Sequence, residues 1–435
     1  MMSAVLSPTS FKPRLRTDIV FGPPELSYGT TVYYMKDGYT QWFYRIGARE
    51  YFVVSRMDGS RTLEEISAEY EAAFGRRLDQ RAWAGLFKLL GTRQLLSDSV
   101  RPADLETLKQ EAVRHRKTDS NGLFHWRFKL VNPDALLDKL LPWFRFAFAP
   151  AFVAPALAAI LALEVFVLLH TQALAADVQA GIHGNTNLLF FALSYALFWL
   201  IAALHETAHG LACKRFGGSV REMGIVWRYL SFFPYCKLDD IVLFHNRWHR
   251  VYAAFAGAFL SLLALLPFAI CWWLSPEKSF LHDLSAIMLL VFNVVSLMNL
   301  VPFIELDGYF MLSHAINIID LRKEAHRFCL AGLWKLLFKK GAGTASYGRQ
   351  GRLIYPIYGL LSLLFTAAFI VLMAYYWFTD IRPWLGNVAT WSLLVGVALL
   401  FLLDKSGGSW WGRGQIHRAH GWGNRWARWL PPKAR

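Results

Sequence analysis

The chain has 435 residues, a positive mean hydropathy and 16% aromatic residues, a combination too apolar for an ordinary soluble protein of this length. It reads as a mainly α, polytopic helical membrane protein carrying a small soluble part. The formal net charge of +15 concentrates in connections between apolar runs, where membrane topology already demands it, and this argues against a nucleic-acid partner.

Residues 1–24 are polar and broken by prolines; they show no cleavable signal peptide and are expected to form a flexible arm. Residues 25–100 are predicted to form a small α/β, winged-helix-like domain. Thr31 to Tyr34 and Gln41 to Ile46 flank Lys36-Asp37-Gly38, a turn signal that closes a hairpin. Thr62 and Glu65 make a capping box for a helix that spaces Leu63, Ile66, Tyr70 and Phe74 along one face before Gly75 stops it. A second helix starts at Asp79 and buries Trp83, Leu86, Phe87 and Leu90. Residues 101–145 read as a charged helical linker that ends in an amphipathic approach to the membrane from Asp134 to Leu141.

Judged against the roughly 20 residues that a bilayer core requires, six apolar runs follow, near 148–169, 187–204, 251–273, 284–301, 353–377 and 386–403. They define a six-helix membrane domain over residues 146–403. The connection from Lys214 to Arg250 carries seven Lys or Arg and that from Ser313 to Arg352 carries eight, whereas 170–186 carries none. The positive-inside rule therefore places both long connections and both termini in the cytoplasm. Residues 404–435 form a basic, Trp-rich tail with no acid after Asp404, suited to anionic lipid. The four cysteines show no paired spacing and imply no disulfide framework; Cys213, one turn beyond His209, reads as a small apolar filler.

The chemistry concentrates at the end of the second run. His205 and His209 stand four apart, on one face of a helix, so their rings can converge on one Zn²⁺ while Glu206 reaches a water held by the ion. A single histidine on an apolar helix is usually a hydrogen-bonded core residue. Two histidines and a glutamate within five residues at membrane depth are too costly to stand there without a role. A second polar element, Asn299-Leu-Val-Pro-Phe-Ile-Glu-Leu-Asp307-Gly308, offers Asp307 as a third protein ligand. Pro302 breaks the helix so that Asp307 can turn inward, and Gly308 suits a position where backbone passes closely. Glu305 reads either as a hydrogen-bonding partner of a metal ligand or as an exposed interfacial carboxylate. Asn293 either faces the cleft or bridges helices, and Glu164 reaches interfacial water. His245 and His249 are also four apart, but no acid completes a set.

Together, His205-Glu206-x-x-His209 and Asn299-x-x-Pro302-x-x-x-x-Asp307-Gly308 resemble the paired motifs of the site-2 proteases, a family of intramembrane zinc metalloproteases. The resemblance is strongest to the bacterial peptide zinc metalloprotease branch. It implies one Zn²⁺ per chain held by His205, His209 and Asp307, with Glu206 as general base and then acid. It also implies a cleft shaped by Asn299, Pro302 and Gly308 as substrate-positioning residues. The run from Glu50 to Ile66, with Asp58-Gly-Ser-Arg-Thr62, is similar to PqqD-like peptide-recognition domains, which implies capture of a peptide as an added strand. The implied protein is a multi-pass enzyme of the bacterial inner membrane that cleaves a membrane-associated peptide or protein segment near the cytoplasmic face, in peptide maturation or beside HlyD-type export components. The alternative is a non-catalytic peptide-binding or export accessory protein with a structural metal site.

Overall fold

The computed structural model describes residues 11–27, 29–97, 100–118, 125–184, 188–228, 231–338 and 349–381, together with Gly386 and Ser392. The sixth predicted span and the basic tail thus lie outside the described residues, apart from those last two positions. The described chain is mainly helical and divides into two compact units, residues up to 118 with 349–351 forming one and residues 125–338 with 352–381 the other.

In the first unit, β1 (Ile19–Phe21), β2 (Glu25–Ser27), β3 (Thr30–Asp37) and β4 (Phe43–Gly47) form an antiparallel sheet. Met35 of β3 faces Phe21 and Tyr44, and Val32 faces Glu25 and Gly47, so β1 and β2 share one edge of β3 while β4 takes the other. The predicted hairpin is therefore β3–β4. Helices α1 (Ala48–Val54), α2 (Leu63–Phe74), α3 (Gln80–Thr92) and α4 (Pro102–Thr118) follow. The capping box at Thr62 and Glu65 is formed, and Gly75 ends α2 in the left-handed conformation. Asp79 caps α3 through the Ala82 N–H. Met35, Ile46, Val53, Ile66, Tyr70, Leu86 and Leu90 make one core. The arm expected over residues 1–24 is corrected from Phe11 onward. Leu15 is buried in that core and bridges to Leu96, and Arg16 pairs with Asp18 and with the fully buried Asp37 at the hairpin turn.

The second unit opens with β5 (His125–Val131) and α5 (Asp134–Phe144), so the expected linker is helical in α4 and α5 and is corrected over 125–131, where it is a strand. Arg127 and Lys129 alternate with Trp126, Phe128 and Leu130, which is strand periodicity. Helices α6 (Pro150–Leu169), α7 (Thr171–Gly184) and α8 (Leu188–Arg215) come next. After them, β6 (Met223–Arg228) and β7 (Ser231–Cys236) join β5 in a sheet of order β5-β6-β7. The remaining helices are α9 (Arg247–Leu263), α10 (Leu266–Leu274), α11 (Phe280–Ile287), α12 (Asn293–Asn299), α13 (Asp307–Ile316), α14 (Leu321–Phe338) and α15 (Arg349–Tyr376), with a π turn at Met288–Phe292 between α11 and α12. Among the described residues, five helical stretches are long and apolar enough to cross a membrane: 150–169, 188–215, 247–274, 280–299 and 353–379. The connection expected over 170–186 is mostly α7, tied down by Asp177, which accepts from Trp272 Nε1 and pairs with His282.

Helix α5 docks on the polar end of α8. Leu137 is buried in one cluster with Leu211, Cys213 and Cys236, and the Asp134 carboxylate accepts from the Val220 N–H at 2.7 Å and from Lys214 at 3.0 Å. Burial alone would raise the Asp134 pKa, but the Val220 N–H and Lys214 outweigh it and hold the carboxyl below its ordinary value. A depressed pKa stabilises the fold above the unfolded value of about 3.9, and that contribution is lost as pH falls through the folded value. Melting of the full chain, followed from about pH 6 down to about pH 3, is therefore expected to drop in the wild type partly through this group. Asp134→Asn should melt lower at neutral pH and depend less on acid; an unchanged pH dependence would remove Asp134 as the contact.

Candidate metal centre

Helix α9 lies between α8 and α13, packing against both. Helix α8 supplies His205 and His209 one turn apart, and α13 supplies Asp307 at its first residue. The break at Pro302 ends α12 at Asn299, and the chain turns before restarting at Asp307. The turn is tight because Gly308 passes against Leu300, where any Cβ would overlap the Leu300 carbonyl group. Tyr358 donates to the Pro302 carbonyl at 2.9 Å, satisfying a group that the break leaves without a helical partner.

The three side chains converge. His205 Nε2 lies 3.1 Å from His209 Nε2 and 3.0 Å from Asp307 Oδ2, and His209 Nε2 lies 3.3 Å from the same oxygen. All three residues are buried, and the group could hold a metal ion. The far side of each ring fixes what the near side offers. His209 Nδ1 is 2.7 Å from the Ala253 carbonyl, which can only accept, so Nδ1 donates and the neutral ring turns the Nε2 lone pair toward the centre. His205 Nδ1 stands 2.9 Å from Ser261 Oγ, an arrangement that lets this ring do the same. Three electron-pair donors then face one point in a buried, low-dielectric site, and a cation resolves their mutual repulsion. Bonds of about 2.0–2.2 Å to a tetrahedral ion put neighbouring ligand atoms about 3.3–3.6 Å apart, so the observed triangle is slightly tight but of the right size.

Helix α9 contributes what the sequence did not suggest. Ala253, Gly257 and Ser261 recur every fourth residue on the face toward the rings. A Cβ at Gly257 would lie 2.6 Å from His205 Nε2 and would overlap His209 Nε2, so the absent side chain keeps the centre open on that side. Their only sequence signal is the four-residue spacing of small residues, which also reads as ordinary helix packing.

Glu206 is partly buried, and its carboxylate faces the backbone N–H of Cys236 at the end of β7. Lys237 donates inward to Glu222, so by strand alternation Cys236, Pro234 and Phe232 turn their main chain toward the open edge of β7. Pro234 thus lacks an N–H only on the edge side, where no ladder bond is lost. Among the other candidates, Glu305 is partly buried and within electrostatic range of Tyr309 and Tyr358. Asn293 is corrected as a partner of the metal ligands, because its amide donates to Glu164 at 3.0 Å and bridges two helices. Glu164, expected to reach interfacial water, is partly buried, with its Oε1 enclosed and its Oε2 bonded to Asn293. His249 stacks on Phe216 with centroids 4.1 Å apart.

Fold and site together define a multi-helix protein with a buried two-histidine, one-carboxylate centre suited to a metal ion. The chain matches no family model, no curated protein and no solved structure.

Two substitutions on α9 test this geometry by elemental analysis of the purified chain. Ser261→Ala should weaken metal retention by about tenfold to a hundredfold, as removal of a ring-orienting partner does. Gly257→Ala should abolish retention, because the methyl group fills the ligand triangle. Full occupancy in Gly257→Ala would mean that the ion does not sit among these three side chains.

Proposed function

We propose that this chain is an intramembrane zinc endopeptidase of the site-2 protease type, in the inner membrane of a bacterium with its termini in the cytoplasm. The observation that carries the proposal is the triangle of His205, His209 and Asp307, left open along α9 by Gly257 and flanked by Glu206. Two imidazoles and one carboxylate are a ligand set typical of catalytic zinc, which keeps a fourth position free. Bound there, the ion would supply Lewis acidity and lower the pKa of a water to about 7.

The remaining work falls to the chain's own residues. Glu206, adjacent to a ligand yet outside the triangle, is placed to accept a proton from the attacking water and return it to the leaving amine. A substrate helix protects its peptide bonds with its own hydrogen bonds, so the substrate must be extended before it can be cut. The open edge of β7, which runs to Glu206 at Cys236, offers main-chain groups that could hold such a segment. Asn299, Pro302 and Gly308 shape the turn that brings in Asp307. In this reading the N-terminal unit is a PqqD-like peptide-recognition module, and the substrate is a membrane-associated peptide or protein segment. Maturation or export beside HlyD-type components is the setting that we favour.

The test compares peptides from cells and medium by mass spectrometry in wild type and Glu206→Gln. The variant should keep its zinc and lose processing of at least one peptide, with a rate loss of about 10²–10⁴ for removal of a general base. Identical peptide profiles with zinc retained would turn the reading toward a non-catalytic peptide-binding or export component. In Asp307→Ala, zinc itself should fall away while the chain stays folded; retained zinc would remove Asp307 as a ligand.

A further inference from the structure

Away from the metal centre, a hydrogen bond joins partly buried Glu164 of α6 to buried Asn293 of α12. Glu164 lies 14 residues into α6, and Leu163 and Val167 beside it belong to an apolar core that includes Ile160, Leu289 and Phe292. Its Oε2 accepts from Asn293 Nδ2 at 3.0 Å, and Asn293 is 3% exposed. That bond leaves two acceptors unmatched: Glu164 Oε1 and Asn293 Oδ1 are both buried with no hydrogen-bond partner. Ser296, one turn further along α12 and 1% exposed, adds a third buried oxygen without a partner. The π turn at Met288–Phe292 immediately precedes Asn293, and widened turns of this kind recur at functional sites.

An ionisable side chain inside a helix of this apolarity is by default a sign of function, with its partner as the guide to which function. Here the partner is a neutral amide, which leaves the carboxylate charge uncompensated. The unmatched atoms are all oxygens: one from a carboxylate, one from an amide and one from a hydroxyl. Hard cations take that set, and a single carboxylate balances a single positive charge. A divalent ion would leave a net charge in an apolar core.

We propose that Glu164, Asn293 and Ser296 form a sodium-ion site between α6 and α12. It would tie these helices together and make the stability of the bundle depend on sodium. The proposal does not rest on the protease reading, since none of the three residues is a ligand of the metal centre.

The experiment follows thermal melting of the purified full chain in detergent while NaCl replaces choline chloride at constant ionic strength, with zinc content measured in parallel. The wild type should melt several degrees higher in sodium, with a saturable midpoint. Glu164→Gln, which keeps an oxygen for Asn293 but removes the charge, should lose that dependence and retain its zinc. Ser296→Ala should move the sodium midpoint up several-fold. Equal melting in the two salts, or undiminished sodium dependence in Glu164→Gln, would overturn the site. Should Glu164→Gln fail to fold, binding of ²²Na⁺ to the wild type decides: one displaceable ion per chain supports the site, and none overturns it.

Discussion

The arrangement of the second unit depends on a repulsion. His205 Nε2, His209 Nε2 and Asp307 Oδ2 stand 3.0 to 3.3 Å apart, each offering electron density to the same buried point. Left to themselves in a low-dielectric interior, such groups separate or find donors. Here they are held from behind. The Ala253 carbonyl and Ser261 hydroxyl fix the two rings, and Asp307 stands in the first turn of α13, where the helix dipole favours a carboxylate. Polar contacts from three helices thus keep these groups together, in an arrangement that could hold a cation.

Holding that triangle requires backbones to come unusually close, and glycine marks where they do. At Gly257, α9 approaches the rings without filling the space between them. At Gly308, the start of α13 passes so near Leu300 that the turn after α12 can be short. These constraints are linked. The break at Pro302 makes the turn possible, Tyr358 on α15 satisfies the Pro302 carbonyl, and Gly308 lets the chain re-enter the helix with Asp307 facing α8. A larger side chain at Gly308 would shift the third ligand without touching it, whereas one at Gly257 would run into the two imidazoles themselves.

The sequence made the polar extremes of this site legible. Two histidines at helical spacing in an apolar stretch are rare enough to stand out, and a proline before a buried acid announces a turn. Helix α9 was silent for the opposite reason: a carbonyl, a glycine and a serine at four-residue spacing leave no chemical signature, and their role exists only once α8 lies alongside. Strand β5 was masked by composition, because Arg127 and Lys129 gave a charged average that hid the alternating Trp126, Phe128 and Leu130. Glu164 and Asn293 are 129 positions apart, so each invited a separate explanation, and only the tertiary packing shows that they share a hydrogen bond.

The sheet and the site also constrain each other. Glu206 lies nine residues before Arg215, where α8 ends, so along the helix axis it sits about 13 Å inside that end. The Cys236 N–H meets it there, and the edge of β7 therefore reaches down to the level of the ligands instead of stopping at the helix terminus. On the face of the sheet that Phe128 and Trp126 share with their cross-strand partners, Ile225 and Trp227 continue the apolar surface, followed by Phe232 and Pro234 on β7. A strand edge carried on such a face can lie beside an apolar helix at depth without bringing charge along. Under the proposed reading as a peptidase of membrane-associated segments, this would resolve a physical conflict. Such a substrate would give up its internal hydrogen bonds where water is scarce, and a neighbouring strand edge can replace main-chain bonds at the depth where Glu206 stands.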